Sequence, residues 1–207
     1  MPSKTADPQG RTPLADPGWA YVEGPSLEEY SAAELAVLER QRAVYFAERQ
    51  AADVLRMLAG SADDPSFGYP VNNYRHCLQS ASMALRDGLD EETVVVALLH
   101  DIAFVASPTA HGAVAAALLR PYISEANHWM LLHHQVFQDF HMVGDPGVDR
   151  DARERWRGHA SFEWTARFVA RYDQNAMDAS YDALPLSIFE PMVRRLFARP
   201  PRRFAPE

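Results

Sequence analysis

The 207 residues suffice for one domain with a tail, and 47% hydrophobic with 11% aromatic content is enough for a real core. A net charge of −8 argues against a general binder of nucleic acid or of an anionic membrane. Lys4 is the only lysine among 20 basic residues and Cys77 the only cysteine, which excludes a catalytic lysine in the body, an internal disulfide and any multi-cysteine metal site.

Residues 1–30 carry Pro2, Pro8, Pro13, Pro17 and Pro25 with little periodicity, and predict an extended or disordered arm that Trp19 and Tyr21 dock on the body. The opening MPSKTADPQG is polar, so no signal peptide is expected. Ser31-Ala-Ala-Glu34 is a capping box. The apolar spacing that follows predicts a helix over 32–59, long enough to be broken near its middle, with Gly60 as its stop.

SADDPSFGYP reads as a loop. A second helix is predicted from Val71 to Arg86, ended by Asp87-Gly88. Asp90 caps a third through Glu91–Val105, apolar nearly all round and hence central. A fourth runs over 110–119 and a fifth from the Ser124 cap to His141. After the Gly144–Gly147 turn come a short polar helix, a helix over 161–172, and a last helix opened by Pro185. No segment alternates like a strand. The expected organisation is an all-α single domain over 31–200, with a tail at 201–207. The apolar runs Val94–Leu99 and Ala113–Leu119 are too short to span a bilayer, so a cytoplasmic location is expected.

His100-Asp101 closes the apolar third helix. A charged pair there is costly unless it is salt-linked or holds a metal. His76 lies on the preceding helix, His111 near the start of the next, His134 in the one after, and Asp173 near a later helix end. Four imidazoles and two carboxylates suit one or two first-row metals such as Fe, Mn or Zn, and bundle cores commonly host such sites.

The pattern His76, His100-Asp101, Asp173 resembles the H…HD…D signature of the HD-domain superfamily over roughly residues 55–195. The additional His111 and His134 resemble its dinuclear members. Among these the chain is most similar to the mixed-valent diiron oxygenases, a group that includes phosphonate-cleaving enzymes and myo-inositol oxygenase. Gly68-Tyr69-Pro70-Val71 before His76, Leu78-Gln79-Ser80-Ala81 after it, and Arg171-Tyr172-Asp173 carry the likeness. The resemblance implies an HD-type helical bundle with a buried dinuclear site and two Fe ions, Fe(II)/Fe(III), with Mn or other divalent metals as the alternative. It implies one iron on His76, His100 and Asp173, the other on His111 and His134, and Asp101 as the bridge.

The chain also departs from the phosphonate-cleaving pattern. Ser66 and Tyr69 stand where those enzymes have a gating Tyr and Glu. Gln138 and Phe104 stand where they have a Lys and a His for the phosphonate. A pocket without those cations is a poor dianion site. The implied activity is therefore an oxygenase that uses O2 to cleave a small hydroxylated or amino substrate, not a phosphonate. Asp101, Tyr69 and Gln79 are its candidate catalytic residues, and Gln138, Phe104 and Arg75 its candidate substrate contacts. A metal-dependent phosphohydrolase, the commonest HD-domain activity, is the alternative, and a non-catalytic ligand-binding HD domain a third. Two ligand alternatives stay open: His133 for His134, and Asp178 for Asp173. The expected partners are a small molecule and O2, with neither nucleic acid nor membrane. The sequence leaves the substrate and the oligomeric state open.

Overall fold

Every side chain from Val94 to Leu99 is fully buried, so the third helix runs through the core. The computed structural model describes residues 20–202. Residues 1–19 and 203–207, and with them Lys4, the expected docking of Trp19 and most of the tail, lie outside the described residues. Among the described residues the secondary structure is all helix: α1 (Ala32–Gly60), α2 (Asn73–Arg86), α3 (Glu91–Leu99), α4 (His111–Leu119), α5 (Glu125–Asp139), α6 (Phe162–Phe168) and α7 (Leu186–Phe197). The fold class is all-α, as expected.

The chain divides into two compact units, at Gln50/Ala51. In the first, residues 20–30 are extended apart from one 3-10 turn at Leu27–Glu29. Gln41 clamps the backbone of Ala20, accepting its N–H at 2.7 Å and donating to its carbonyl at 3.0 Å. Ser31 and Glu34 form the capping box: the Ser31 N–H donates to Glu34 Oε2 at 2.8 Å, and the Glu34 N–H to Ser31 Oγ at 3.3 Å. Helix α1 runs unbroken through Gly60, so the break anticipated near its middle does not occur.

The second unit holds the rest of α1 and helices α2–α7. Caps set the starts of its helices: Asn72, Asp90 and Ser124 each accept the backbone N–H three residues on. Helix α2 packs on α3, α4 on α5, α5 on α6 and α3 on α7. Phe137, Phe168, Phe189, Leu98 and Leu99 are fully buried between them, each stabilising the fold by roughly 1.5–3 kcal/mol. Gly112 lets α4 approach α5: a Cβ there would meet the Leu131 carbonyl oxygen at 2.5 Å and His134 Cε1 at 2.9 Å.

Two helix ends differ from expectation by more than two residues, and both lie at buried His or Asp residues. Helix α3 stops at Leu99 instead of running to Val105. The chain then tightens into turns closed by Ile102 N–H to Leu99 O and Phe104 N–H to Asp101 O, while Asn73 donates to the same Asp101 carbonyl at 2.8 Å. The helix expected over 161–172 is α6 followed by a π turn at Val169–Asp173, closed by Gln174 N–H to Val169 O at 3.0 Å. Such widened turns often occur at functional sites.

Candidate metal centre

Helix α2 places His76 one turn after its Asn72 cap. His100 and Asp101 follow the end of α3, His111 opens α4, His134 lies in the middle of α5, and Asp173 ends the π turn. All six are buried.

Each imidazole has its Nδ1 within hydrogen-bond distance of a backbone carbonyl. His76 meets Ala176 O at 3.2 Å, His100 meets Ala97 O at 2.8 Å, His111 meets Pro108 O at 2.9 Å and His134 meets Leu131 O at 2.9 Å. A carbonyl can only accept, so each Nδ1 carries a proton and each ring turns its Nε2 inward, a lone pair whenever the ring is neutral. Three of these carbonyls lie three residues before their histidine, so the local turn itself orients the ring.

The inward atoms converge. His76 and His100 approach Nε2 to Nε2 at 3.0 Å, and His111 and His134 at 3.1 Å. Asp101 lies between the two pairs: its Oδ1 is 3.0 Å from His111 and 3.1 Å from His134, and its Oδ2 is 3.6 Å from His76. Asp173 Oδ1 is 3.6 Å from His76 and 3.7 Å from His100. Its Oδ2 is buried with no hydrogen-bond partner. Two triads, His76–His100–Asp173 and His100–Asp101–His134, have donor atoms mutually within 4.8 Å and could each hold a metal ion. His100 belongs to both.

Opposed lone pairs and an orphaned buried carboxylate oxygen repel unless a cation lies among them. The residues present therefore fit metal ions, and the nitrogen and oxygen donors suit iron, manganese or zinc alike. Without metal, protons fill the role. Burial disfavours a charge on His100, but the Asp101 and Asp173 carboxylates outweigh it and push its pKa up to about 9. Burial, reinforced by the His100 charge, holds His76 below the ordinary histidine value. Burial works against the Asp101 carboxylate, yet the charge on His100 and the bonds from His111 and His134 keep it well below the usual carboxylate range.

A small cavity of about 60 Å3 opens on His76, Asp101 and His111. That is room for roughly four or five water-sized groups. Its wall is mainly Phe67, Tyr69, Val71, Phe104 and Met177, with Asn73 and Gln138 as polar members. Phe104 meets His111 edge-on at 5.4 Å and Phe67 at 6.4 Å. Phe67 and Gly68 have positive φ, 54° and 94°, so the loop before α2 bends sharply at the mouth. Tyr69 lines the cavity and is half exposed.

Gln138 donates to Asp173 Oδ1 at 2.9 Å, so it touches a candidate ligand as well as the cavity. Two other candidates lie elsewhere. Gln79 is fully buried, and both ends of its amide bond the Asp178 backbone, at 2.7 and 3.2 Å, so it braces the loop behind His76 and does not face the cavity. Arg75 is exposed and donates to the carbonyls of Ala179 and Tyr181, likewise away from the cavity.

The alternative ligands are accounted for. His133 stacks on Trp129 at 4.0 Å, with His159 on the other face of the same indole at 4.3 Å. Asp178 is exposed and bonds Ser180. Asn175 bonds Ala170 O, leaving the Ala176 carbonyl to orient His76. Sequence reasoning missed Asn73. Its spacing of three residues before His76, on one helix face, is the signal that would have found it. The cavity contributions of Phe67 and Met177 come from loops and left no such signal.

No protein-family model matches the chain, and no match to it is found among curated proteins.

Proposed function

We propose that the chain is an HD-type dinuclear metalloenzyme of the oxygenase class, acting with O2 on a small hydroxylated or amino substrate. The observation that carries this is the position of Asp101 between two histidine pairs whose protons are already committed to backbone carbonyls. His76, His100 and Asp173 would hold one metal, His111 and His134 the other, with Asp101 shared. Two irons bound there would supply activation of dioxygen and oxidation of a carbon bearing a hydroxyl or amine.

The protein's own share is positioning and exclusion of water. The Nδ1–carbonyl bonds aim each Nε2 at the site. Gln138 steadies Asp173, and Asn73 ties down the backbone of Asp101. Phe67, Phe104, Val71 and Met177 make an apolar wall that limits water at the reacting atoms.

Among the described residues neither Lys nor Arg lines the cavity, so a phosphate there would have only the metal ions to offset its charge, which favours the oxygenase over a phosphohydrolase. The test is direct. Iron-loaded protein should consume O2 with small polyols or amino alcohols and release no phosphate from a generic phosphoester. Phosphate release with Mn(II) or Co(II), and no O2 uptake with any such substrate, would reverse the assignment in favour of the hydrolase.

A further inference from the structure

Two amides in the cavity wall have a fixed orientation. Gln138 Nε2 donates to the Asp173 carboxylate, and Asn73 Nδ2 donates to the Asp101 carbonyl at 2.8 Å. Neither acceptor can donate in return, so neither amide can flip without setting oxygen against oxygen. Both amides are thereby locked with Oε1 and Oδ1 left without a partner in the protein while their residues line the cavity. The neighbouring Asn72 offers nothing comparable: its Oδ1 caps Arg75 N–H, and its Nδ2 is bonded to the carbonyls of Ala62 and Asp64. Arg75 is held on the 179–181 loop.

We propose that this cavity selects a small amine bearing a hydroxyl, whose N–H donors are received by Gln138 Oε1 and Asn73 Oδ1. The proposal rests on the oxygenase assignment for the role of the hydroxyl, which would approach the metal site. The amine preference rests on the acceptors of the lining alone. An ammonium carries three donors and no acceptor, matching the two amide oxygens and the Asp101 carboxylate in the lining. A carboxylate or phosphonate would set its oxygens against these two and, among the described residues, find neither Lys nor Arg in the lining. The space of about 60 Å3 is filled by a few heavy atoms, as an amino alcohol of two or three carbons supplies. Gln138 is then the residue that determines specificity, because one amide both steadies Asp173 and presents the acceptor.

Binding to protein loaded with redox-inert Zn(II) tests this without turnover. Calorimetry would compare four probes of similar size: 2-aminoethanol, ethylene glycol, glycolate and hydroxymethylphosphonate. The amine should bind at least about tenfold more tightly than either anion. Gln138→Lys, checked for folding and zinc content, should invert that order by replacing an acceptor with a cation. An anion binding most tightly to the natural protein overturns the proposal. So does absence of binding by all four, or an unchanged order in a folded, zinc-loaded Gln138→Lys. The wild-type comparison decides the matter even if that variant fails to fold. The two assignments fail separately. Amine preference in the zinc form with no O2 uptake by the iron form sinks the oxygenase alone, whereas O2 uptake with a preference for glycolate sinks only the amine.

Discussion

His76 and His100 face each other through Nε2 atoms 3.0 Å apart, although each has turned its Nδ1 to a backbone carbonyl. His111 and His134 repeat the arrangement at 3.1 Å. Rings so placed need a proton or a metal ion between them, so the protein has built an attraction for cations into its own backbone turns. The consequences can be measured residue by residue.

His111 contacts only one side of the Asp101 bridge, whereas Asp101 spans both. His111→Ala should lower the metal content from about two ions per chain to about one, and Asp101→Ala should remove most of both. Metal analysis after desalting reads this. Two retained ions in Asp101→Ala would contradict the bridging role.

Metal removal should change how stability depends on pH. In the stripped protein the His100 pKa is raised from 6.5 to about 9. That group's stabilisation is therefore fully present below pH 6.5, declines above it, and is gone once pH has passed about 9. The carboxyls of Asp101 and Asp173 are lowered from 3.8, so their contribution is present above pH 3.8 and lost as pH falls through their folded values. Metal-loaded protein gains with rising pH because metals compete with protons for the ligands. The gap in melting temperature between loaded and chelator-treated protein should widen from pH 6.5 to 9. A gap that narrows would mean that the metal does not occupy the histidine cluster.

Gly112→Ala would drive a Cβ into the Leu131 carbonyl and the His134 ring. Expected are a loss of about 1–3 kcal/mol in stability and weakened metal retention. Gly144, where a Cβ would have nothing within 4 Å of it, is the control, and Gly144→Ala should retain metal fully. Equal metal retention by the two variants would deny the close approach of α4 to α5.

Gln79→Ala should destabilise by roughly 1–3 kcal/mol, because the Asp178 backbone loses both of the bonds that this fully buried amide supplies. Thermal melting of the loaded protein reads it. A neutral result would show that the loop behind His76 does not depend on this clamp.

Much of this was legible in the sequence because the signals were local. Asn72, Asp90 and Ser124 act as caps through bonds three residues long, and the all-apolar run from Val94 to Leu99 could only be central. The set His76, His100, Asp101, His111, His134 and Asp173 was visible because each successive helix offers an imidazole or carboxylate that could point at a common axis. What was not legible depended on tertiary partners. The early end of α3 reflects turns that converge on Asp101, with Asn73 bonded from another helix. Gln79 and Arg75 lie within a turn of His76, and only the path of the 178–181 loop reveals that it occupies both. The π turn before Asp173 has no counterpart in apolar periodicity, which still reads as a plain helix there.

The most direct measurement is metal content with low-temperature EPR on anaerobically purified, iron-loaded protein, before and after brief exposure to air. The account predicts about two irons per chain and a spin-coupled mixed-valent signal that appears on oxidation, with both lost in His100→Ala. Redox-silent metal with no coupled signal after iron reconstitution, or full iron retention by His100→Ala, would contradict it.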